Sequence, residues 1–335
     1  MRYLKFLAIL LVALALVACP WYGYRYPDGK LPAHPVNLED FNSEYDDYNA
    51  TAPALGRLIP FCYSTNSHSQ GEDFDIKYEP MEVMWDKATG DLTVSNELSG
   101  FGGFRDYYGV LLFGVKGINS TGNELGPNLL YDPYSEFEDA ELVLLYATDV
   151  DGDYDIAFTY NTEAYDFAES EPVAFLNSQF NDLYPSFDFT YSRIYFCSDR
   201  EDGIYNIFHV DVAYLSGEII PLLSDSLEHT VEADPVLSSE YEDKCPYIYG
   251  NTMVFASTRP GGSGGFDLYY SLFEEGAWSD PVNFGGEINT AFDEYRPILF
   301  DEEIDNDRNL MIFSSDRTGG KGGFDLYFVG ILTFD

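Results

Sequence analysis

The densest set of candidate metal ligands in this chain is Asp149-Val-Asp151-Gly-Asp153-Tyr-Asp155, where four carboxylates alternate around a glycine. Several hard oxygen donors within one turn are what Ca²⁺ prefers. No glutamate follows at EF-hand spacing, and a solvated acidic hairpin is the competing reading in a chain of 58 acidic residues. Asp301, Asp305 and Asp307 form a second, sparser cluster. Gly261-Gly-Ser-Gly-Gly265 satisfies the Gly-x-Ser-x-Gly pattern, but a nucleophile elbow needs a strand-to-helix turn and a histidine partner. Here both flanks read as strand, and Lys321 takes the serine's place in the next repeat, so a glycine turn is expected. His34, His68, His209 and His229 fall in unrelated contexts without metal spacing. Carboxylates are too numerous for a glycosidase-like pair to be picked out or excluded.

These residues hang on a repeated frame. Phe255-Ala-Ser-Thr-Arg259, Gly-Gly-Ser-Gly-Gly and Phe266-Asp-Leu-Tyr269 recur as Phe313-Ser-Ser-Asp-Arg317, Gly-Gly-Lys-Gly-Gly and Phe324-Asp-Leu-Tyr327. Looser copies begin at Phe196, Tyr146, Thr93 and Cys62. Each pairs apolar runs rich in Val, Ile, Phe and Tyr with Gly, Asp and Asn turns, at spacings too short for crossover helices. An acidic residue stands three before a proline ahead of the later hairpins: Glu124/Pro127, Asp182/Pro185, Asp243/Pro246 and Glu294/Pro297. Proline suits the first residue of a strand, where no ladder donor is needed. The fold class expected is all-β: a β-propeller of antiparallel four-stranded sheets, six blades from the six copies, with five as the alternative.

Within the hairpins Arg259 and Asp267 stand eight apart, as do Arg317 and Asp325, while Glu97 and Arg105 repeat the spacing with charges exchanged. Exchange of sign is what a direct cross-strand pair permits. These side chains are therefore expected to be architectural turn pairs. The last strand, ending near Phe334, leaves no room for a fourth. A segment between about residues 35 and 60 is expected to pair with it and close the ring, because an open edge invites aggregation.

The N-terminus reads as an export signal. Arg2 and Lys5 flank the apolar run from Leu7 to Ala18, too short to span a bilayer. It ends in Leu16-Val-Ala-Cys19, which matches the bacterial lipobox, so residues 1–18 are expected to be removed and Cys19 to carry lipid. Residues 19–50 then form a tether with a closing strand, and residues 51–335 the propeller. The formal charge of −41 disfavours nucleic acid and anionic lipid surfaces. Cys62, Cys197 and Cys245 remain, an odd number that leaves a free thiol in an exported protein. Cys197 reads as a small buried hydrophobe.

The pattern acidic-x-x-Pro, apolar run, Phe-x-Ser-Asp-Arg, Gly-Gly-x-Gly-Gly-Phe-Asp-Leu-Tyr resembles the WD40-like PD40 repeat of TolB-type propellers. Pro281-Val-Asn-Phe-Gly-Gly-Glu-Ile-Asn-Thr290 resembles its inter-blade segment, and Pro172-Val-Ala-Phe-Leu-Asn-Ser178 repeats that more loosely. The Ser-x-Asp-x-Gly-x-Thr-Trp boxes of sialidase propellers are absent. The resemblance implies a protein-binding or scaffolding module in the cell envelope, lipid-anchored and at the outer membrane, with envelope proteins as partners and no catalytic residues carried over. The alternative is a carbohydrate-binding or carbohydrate-active propeller, since 28 Tyr, 26 Phe and 3 Trp are available to stack on sugar rings.

Overall fold

The computed structural model describes residues 30–52, 58–86, 88–96, 109–131, 142–163, 166–188, 190–212, 219–305 and 308–332. Cys19, Glu97 and Arg105 lie outside them.

In chain order, β1 (Val36–Asn37) precedes a first four-stranded sheet of β2 (Asp47–Thr51), β3 (Leu58–Thr65), β4 (Asp75–Trp85) and β5 (Leu92–Ser95). Helix α1 (Gly109–Ile118) leads to the second sheet, β6 (Glu124–Tyr131), β7 (Leu142–Thr148) and β8 (Asp155–Glu163), edged by β9 (Asp166–Phe167) and β10 (Glu171–Pro172). The third comprises β11 (Asp182–Phe187), β12 (Arg193–Ser198) and β13 (Asn206–Asp211), then helix α2 (Ile219–Leu223) and β14 (Val231–Ala233). The fourth is β15 (Asp243–Tyr249), β16 (Thr252–Ser257) and β17 (Asp267–Glu274) with β18 (Ala277–Trp278) and β19 (Val282–Asn283). The last holds β20 (Glu294–Asp305), β21 (Arg308–Ser315) and β22 (Asp325–Leu332), completed by β1, which pairs Val36 with Phe328 and Asn37 with Tyr327. All pairings within the sheets are antiparallel.

The molecule is a five-bladed β-propeller, and the six copies counted in sequence overcount it by one. The copies at Cys62 and Thr93 fall in β3 and β5 of a single blade, because any strand of Thr, Val and Ser beside a turn mimics the motif. Blades pack face to face, so central strands are buried on both sides and read as continuous apolar runs rather than alternating ones. Every residue of β16 is buried, as are all but the first of β12. One apolar core fills each gap between neighbouring blades. Phe61, Tyr63, Met81 and Val83 of the first blade meet Ile298, Ile312, Leu326 and Phe328 of the last, so the ring joins without a covalent link. Helix α1 fills the first-to-second gap with Leu111, Val115 and Ile118, and α2 adds Ile219, Ile220 and Leu223 to the next.

The innermost strands share a bulge. Their register shifts between Tyr48 and Thr51, Leu125 and Asn128, Leu183 and Ser186, Lys244 and Tyr247, and Tyr295 and Ile298. Two residues after each acidic position the chain turns left-handed, at Asn49, Gly126, Tyr184, Cys245 and Arg296, with φ between 46° and 59°. Pro127, Pro185, Pro246 and Pro297 follow directly. They therefore sit inside the bulge and not at the first residue of the strand, the position expected from sequence; the bulge removes the ladder partner that their missing N–H would need. Four non-glycine residues hold this φ, but at Gly126 space also demands glycine, since a Cβ there would collide with the Tyr184 ring.

Candidate functional site

The residues that could do chemistry converge at the end of the channel where the innermost strands begin. The first residues of those strands, Asp47, Glu124, Asp182, Asp243 and Glu294, form a ring of buried carboxylates, one per blade. Each donates its own backbone N–H to a carbonyl of the preceding blade, at Phe324, Phe74, Tyr154, Tyr205 and Phe266, with lengths of 2.7–2.8 Å. Each side chain is engaged by the hydroxylated residue four earlier: Ser43, Ser120, Ser178, Ser239 and Thr290. Burial pushes the carboxyls of Asp47, Glu124, Asp182 and Glu294 above their ordinary range, and these hydrogen bonds pull the other way.

In the last three blades the arginine of the Ser-Asp-Arg turn completes the knot. Arg200, Arg259 and Arg317 reach Asp182, Asp243 and Glu294 at 2.6, 2.6 and 3.0 Å. The same Nη2 atoms donate to the carbonyls of Leu176, Leu237 and Ile288. The guanidinium planes lie over Phe196, Phe255 and Phe313. The pairs expected from sequence, Arg259 with Asp267 and Arg317 with Asp325, are not formed. The ladder ends at Ser257 opposite Asp267 and at Ser315 opposite Asp325, so both arginines stand in the turn, two residues beyond the last pair, and fold back onto the opposite neighbour. Asp267 instead accepts the amides of Ser263 and Gly264 at 2.5 and 3.1 Å, and Asp325 those of Lys321 and Gly322 at 2.6 and 2.9 Å. The glycine loops are thus wrapped around an aspartate, not around a bound anion or a nucleophile. The Glu97–Arg105 pair lies outside the described residues.

Asp149 belongs to a second architectural set. Its carboxylate accepts the backbone and side-chain N–H of Asn123 at 2.6 and 2.7 Å, as Asp199 does from Asn181 and Asp316 from the Asp293 backbone. Asn123, Asn181 and Asp293 then cap the amides of Phe74, Tyr154 and Phe266 on the preceding blade. Asp155 starts β8, where burial and the charges of Asp153, Asp182 and Asp151 push its carboxyl up to about 6. Among the described residues no group of three or more His, Cys, Asp or Glu side chains is placed to hold a metal ion. Cys62, Cys197 and Cys245 are free and buried. His209 is buried in β13, His229 pairs with Asp225, and His68 with Asp75, so the histidines do not meet.

One repeated feature has a spacing not singled out in the sequence: Asn42-Ser43, Asn119-Ser120, Asn177-Ser178, Ser238-Ser239 and Asn289-Thr290, each four or five residues before its acidic residue. Each asparagine side chain both donates to and accepts from one backbone position on the third strand of the neighbouring sheet: Leu326, Ile76, Ile156 and Leu268. Ser238 replaces it with one bond to Ile207 O. The Asn/Ser-Ser/Thr-x-x-x-Asp/Glu string occurs six times: five copies end on the ring carboxylates, one per blade, and the sixth, Asn161-Thr162-Glu-Ala-Tyr-Asp166, begins within β8.

Around the ring lies an aromatic mouth. Phe74, Tyr154, Tyr205, Phe266 and Phe324 immediately precede the third strand of each blade, and all are half-buried. Inside them stand Tyr48, Leu125, Leu183, Lys244 and Tyr295, each next after a ring carboxylate, with Tyr184 in the lining as well. With Asp293, and with Phe74 packed against Tyr48 outside the lining, they form a hollow of ≈ 320 Å³. The rings are in contact: Tyr48 lies 4.8 Å from Phe74 and 5.8 Å from Phe324, and Tyr295 lies 5.2 Å from Phe266. Lys244 spans Tyr205 and Phe266, 3.7 and 5.5 Å from their centroids, with Glu242 at 3.8 Å. Burial, then the charge of Asp149, raises the Tyr154 phenol, so it and the likewise raised Tyr205 keep their protons. The result is an apolar floor with a polar rim of hydroxyls, one ammonium and the carboxylate of Asp293, which accepts the Phe266 N–H at 2.8 Å. Beneath it the channel is filled by the left-handed residues of the bulges.

No protein-family model matches the chain, and no curated protein matches it. Solved structures do. A thermostable family-43 glycoside hydrolase superimposes with a TM-score of 0.52 at 9% identity, over 90% of this chain and 94% of that one. The α-L-arabinofuranosidase PaAbf62A of Podospora anserina, solved with cellotriose, gives 0.50 at 12%, over 91% and 97%. A putative TolB of Agrobacterium tumefaciens gives 0.41 at 10%, over 91% and 100%. What is shared is the propeller.

Proposed function

We propose that this protein is a carbohydrate-binding propeller whose aromatic mouth takes one or two sugar rings, and that it binds them without cleaving them. The observation that carries this is the convergence of Tyr154, Tyr205, Phe266 and Phe324, with Tyr48 and Tyr295, on a hollow of ≈ 320 Å³. A pyranose presents an apolar face of C–H bonds that packs on such rings, while its hydroxyls reach the phenols and Lys244 at the rim. The volume sits at the small end of the range for ligand pockets, which suits a short saccharide better than the flat contact of a protein scaffold. Hydrolysis would need two carboxyl groups flanking the bond, one of them free to donate a proton. Those of the ring are buried and already hydrogen-bonded, and Asp293 is the single carboxylate among the residues lining the hollow, where hydrolysis needs two. The address proposed with this function is the bacterial cell envelope, with lipid at Cys19, on the strength of Leu16-Val-Ala-Cys19 alone. The acidic-x-x-Pro and Ser-Asp-Arg strings support placing its repeats with the PD40 type.

The test is calorimetric titration of the soluble form beginning at residue 20 with xylotriose, cellotriose and β-1,3-linked galactobiose, alongside an assay for released reducing sugar. Saturable binding of at least one, weakened roughly tenfold or more by Tyr205→Ala or Phe266→Ala and without sugar release, is expected, since a lost stacking partner is worth about 1–2 kcal/mol. Absence of binding at millimolar saccharide, or turnover, refutes the proposal.

A further inference from the structure

Directly below the mouth, Arg296 stands in the channel centre with none of its surface exposed, on left-handed backbone at φ 46°. Its Nη2 and Nη1 donate to the carbonyls of Pro127 and Pro246 at 3.1 and 3.4 Å, two bulge prolines on other blades. Its guanidinium lies 5.3 Å from the Tyr184 ring centroid and 5.9 Å from that of Tyr247. Unlike Arg200, Arg259 and Arg317, it makes no ion pair among the described residues. Nε has no hydrogen-bond partner. The groups that feel its charge are Cys197, Cys245 and Tyr247, all proton-bearing in this setting, because burial raises every one of them.

A second orphan lies beside the same tyrosine. Asn49 is fully buried and its Nδ2 meets Tyr184 Oη at 3.3 Å, while Oδ1 has no partner. Half a turn of that amide lets Oδ1 accept from the Tyr184 hydroxyl and presents Nδ2–H in place of the orphaned oxygen. The channel would then offer two unused N–H donors, one of them on a buried cation without a counter-charge. A buried charge is strongly disfavoured unless it is paired.

We propose that the propeller channel holds a small monovalent anion of the halide class, bound by Arg296 Nε and the Asn49 amide and serving as the counter-ion of a structural plug. This is independent of what the mouth binds. A divalent or bulky anion does not fit the purpose, since one positive charge is to be balanced within a channel packed by Tyr184, Cys245 and Tyr247.

The experiment compares thermal unfolding in chloride, bromide and gluconate at constant ionic strength, so that screening of the −41 charge is the same throughout. Chloride and bromide should raise the melting temperature over gluconate by roughly 2–5 °C when saturating. Arg296→Met should lose that dependence. Should the variant not fold, crystals of the parent protein grown in bromide decide: an anomalous peak beside Arg296 Nε supports the site. Equal melting temperatures in all three salts, or no bromide in the channel, overturns it in favour of a plug satisfied by internal water.

Discussion

Arginine 259 gives the sharpest test of how the blades are held. Its side chain is 15% exposed and that of Asp243 is 0%, and Nη2 serves both Asp243 and the Leu237 carbonyl, at 2.6 and 2.7 Å. Nε holds Ser257 at 3.0 Å, and the guanidinium covers Phe255 and Tyr269. Arg259→Met keeps most of the apolar stem but leaves the Asp243 carboxylate buried with Ser239 as its remaining side-chain donor. Breaking one side of a buried pair costs about 3–5 kcal/mol. At roughly 2–4 °C per kcal/mol for a large single domain, the melting temperature should fall by about 6–20 °C. In a double-mutant cycle, Asp243→Asn should recover about 2 kcal/mol of that loss, because the stranded charge is gone. Asp267→Asn should couple to Arg259→Met by less than about 0.5 kcal/mol, since Asp267 works on the glycine-loop amides. Denaturant unfolding followed by tryptophan fluorescence reads all four corners of each cycle. Coupling of Arg259 to Asp267 as strong as to Asp243 would refute the geometry.

Asp155 should give stability a distinctive pH dependence. Its folded-state carboxyl is raised to about 6 by burial first and then by Asp153, Asp182 and Asp151, so the native state holds a proton that the unfolded chain releases near 4. The contribution is present below about pH 4 and lost as pH rises through 6. Asp155→Asn should therefore raise the melting temperature more at pH 7.5 than at pH 4.5, and an equal rise at both would contradict the assignment. Ring closure can be tested by truncation: a chain starting at residue 30 should unfold as the parent does, whereas one starting at 43 loses β1 and Asn42 and should fail to fold cooperatively by circular dichroism. Asn42→Ala alone should cost about 1–3 kcal/mol, because the buried Leu326 N–H loses its partner while the Leu326 carbonyl keeps the Leu38 N–H.

The all-β propeller was legible because blades are local. Apolar runs, glycine turns and acidic-x-x-Pro strings all lie within single sheets or the turns joining them, and a repeat shows in one dimension what each unit must bury. Blade number was harder. The hydroxyl-and-turn motif marks strand ends generally, and the Asn/Ser-Ser/Thr string also has one copy too many, at Asn161 within β8, so only the hydrogen bonds to the neighbouring blade single out the five that stitch the ring. Partner choice among charges was not legible. Arg259 is eight residues from Asp267 and sixteen from Asp243, and only the turn that carries the arginine past the last ladder pair decides between them. The acidic run at Asp149 to Asp155 had metal-binding composition, yet the tertiary fold gave Asp149 to Asn123 and set Asp155 half-buried at the start of a strand. The aromatic mouth and the plug below it are assembled from single residues contributed by every blade, each unremarkable in its own segment. The strands of separate blades had to meet around one axis before Tyr154, Tyr205, Phe266 and Phe324 could line one hollow, or Arg296 stand buried without an ion pair among the described residues.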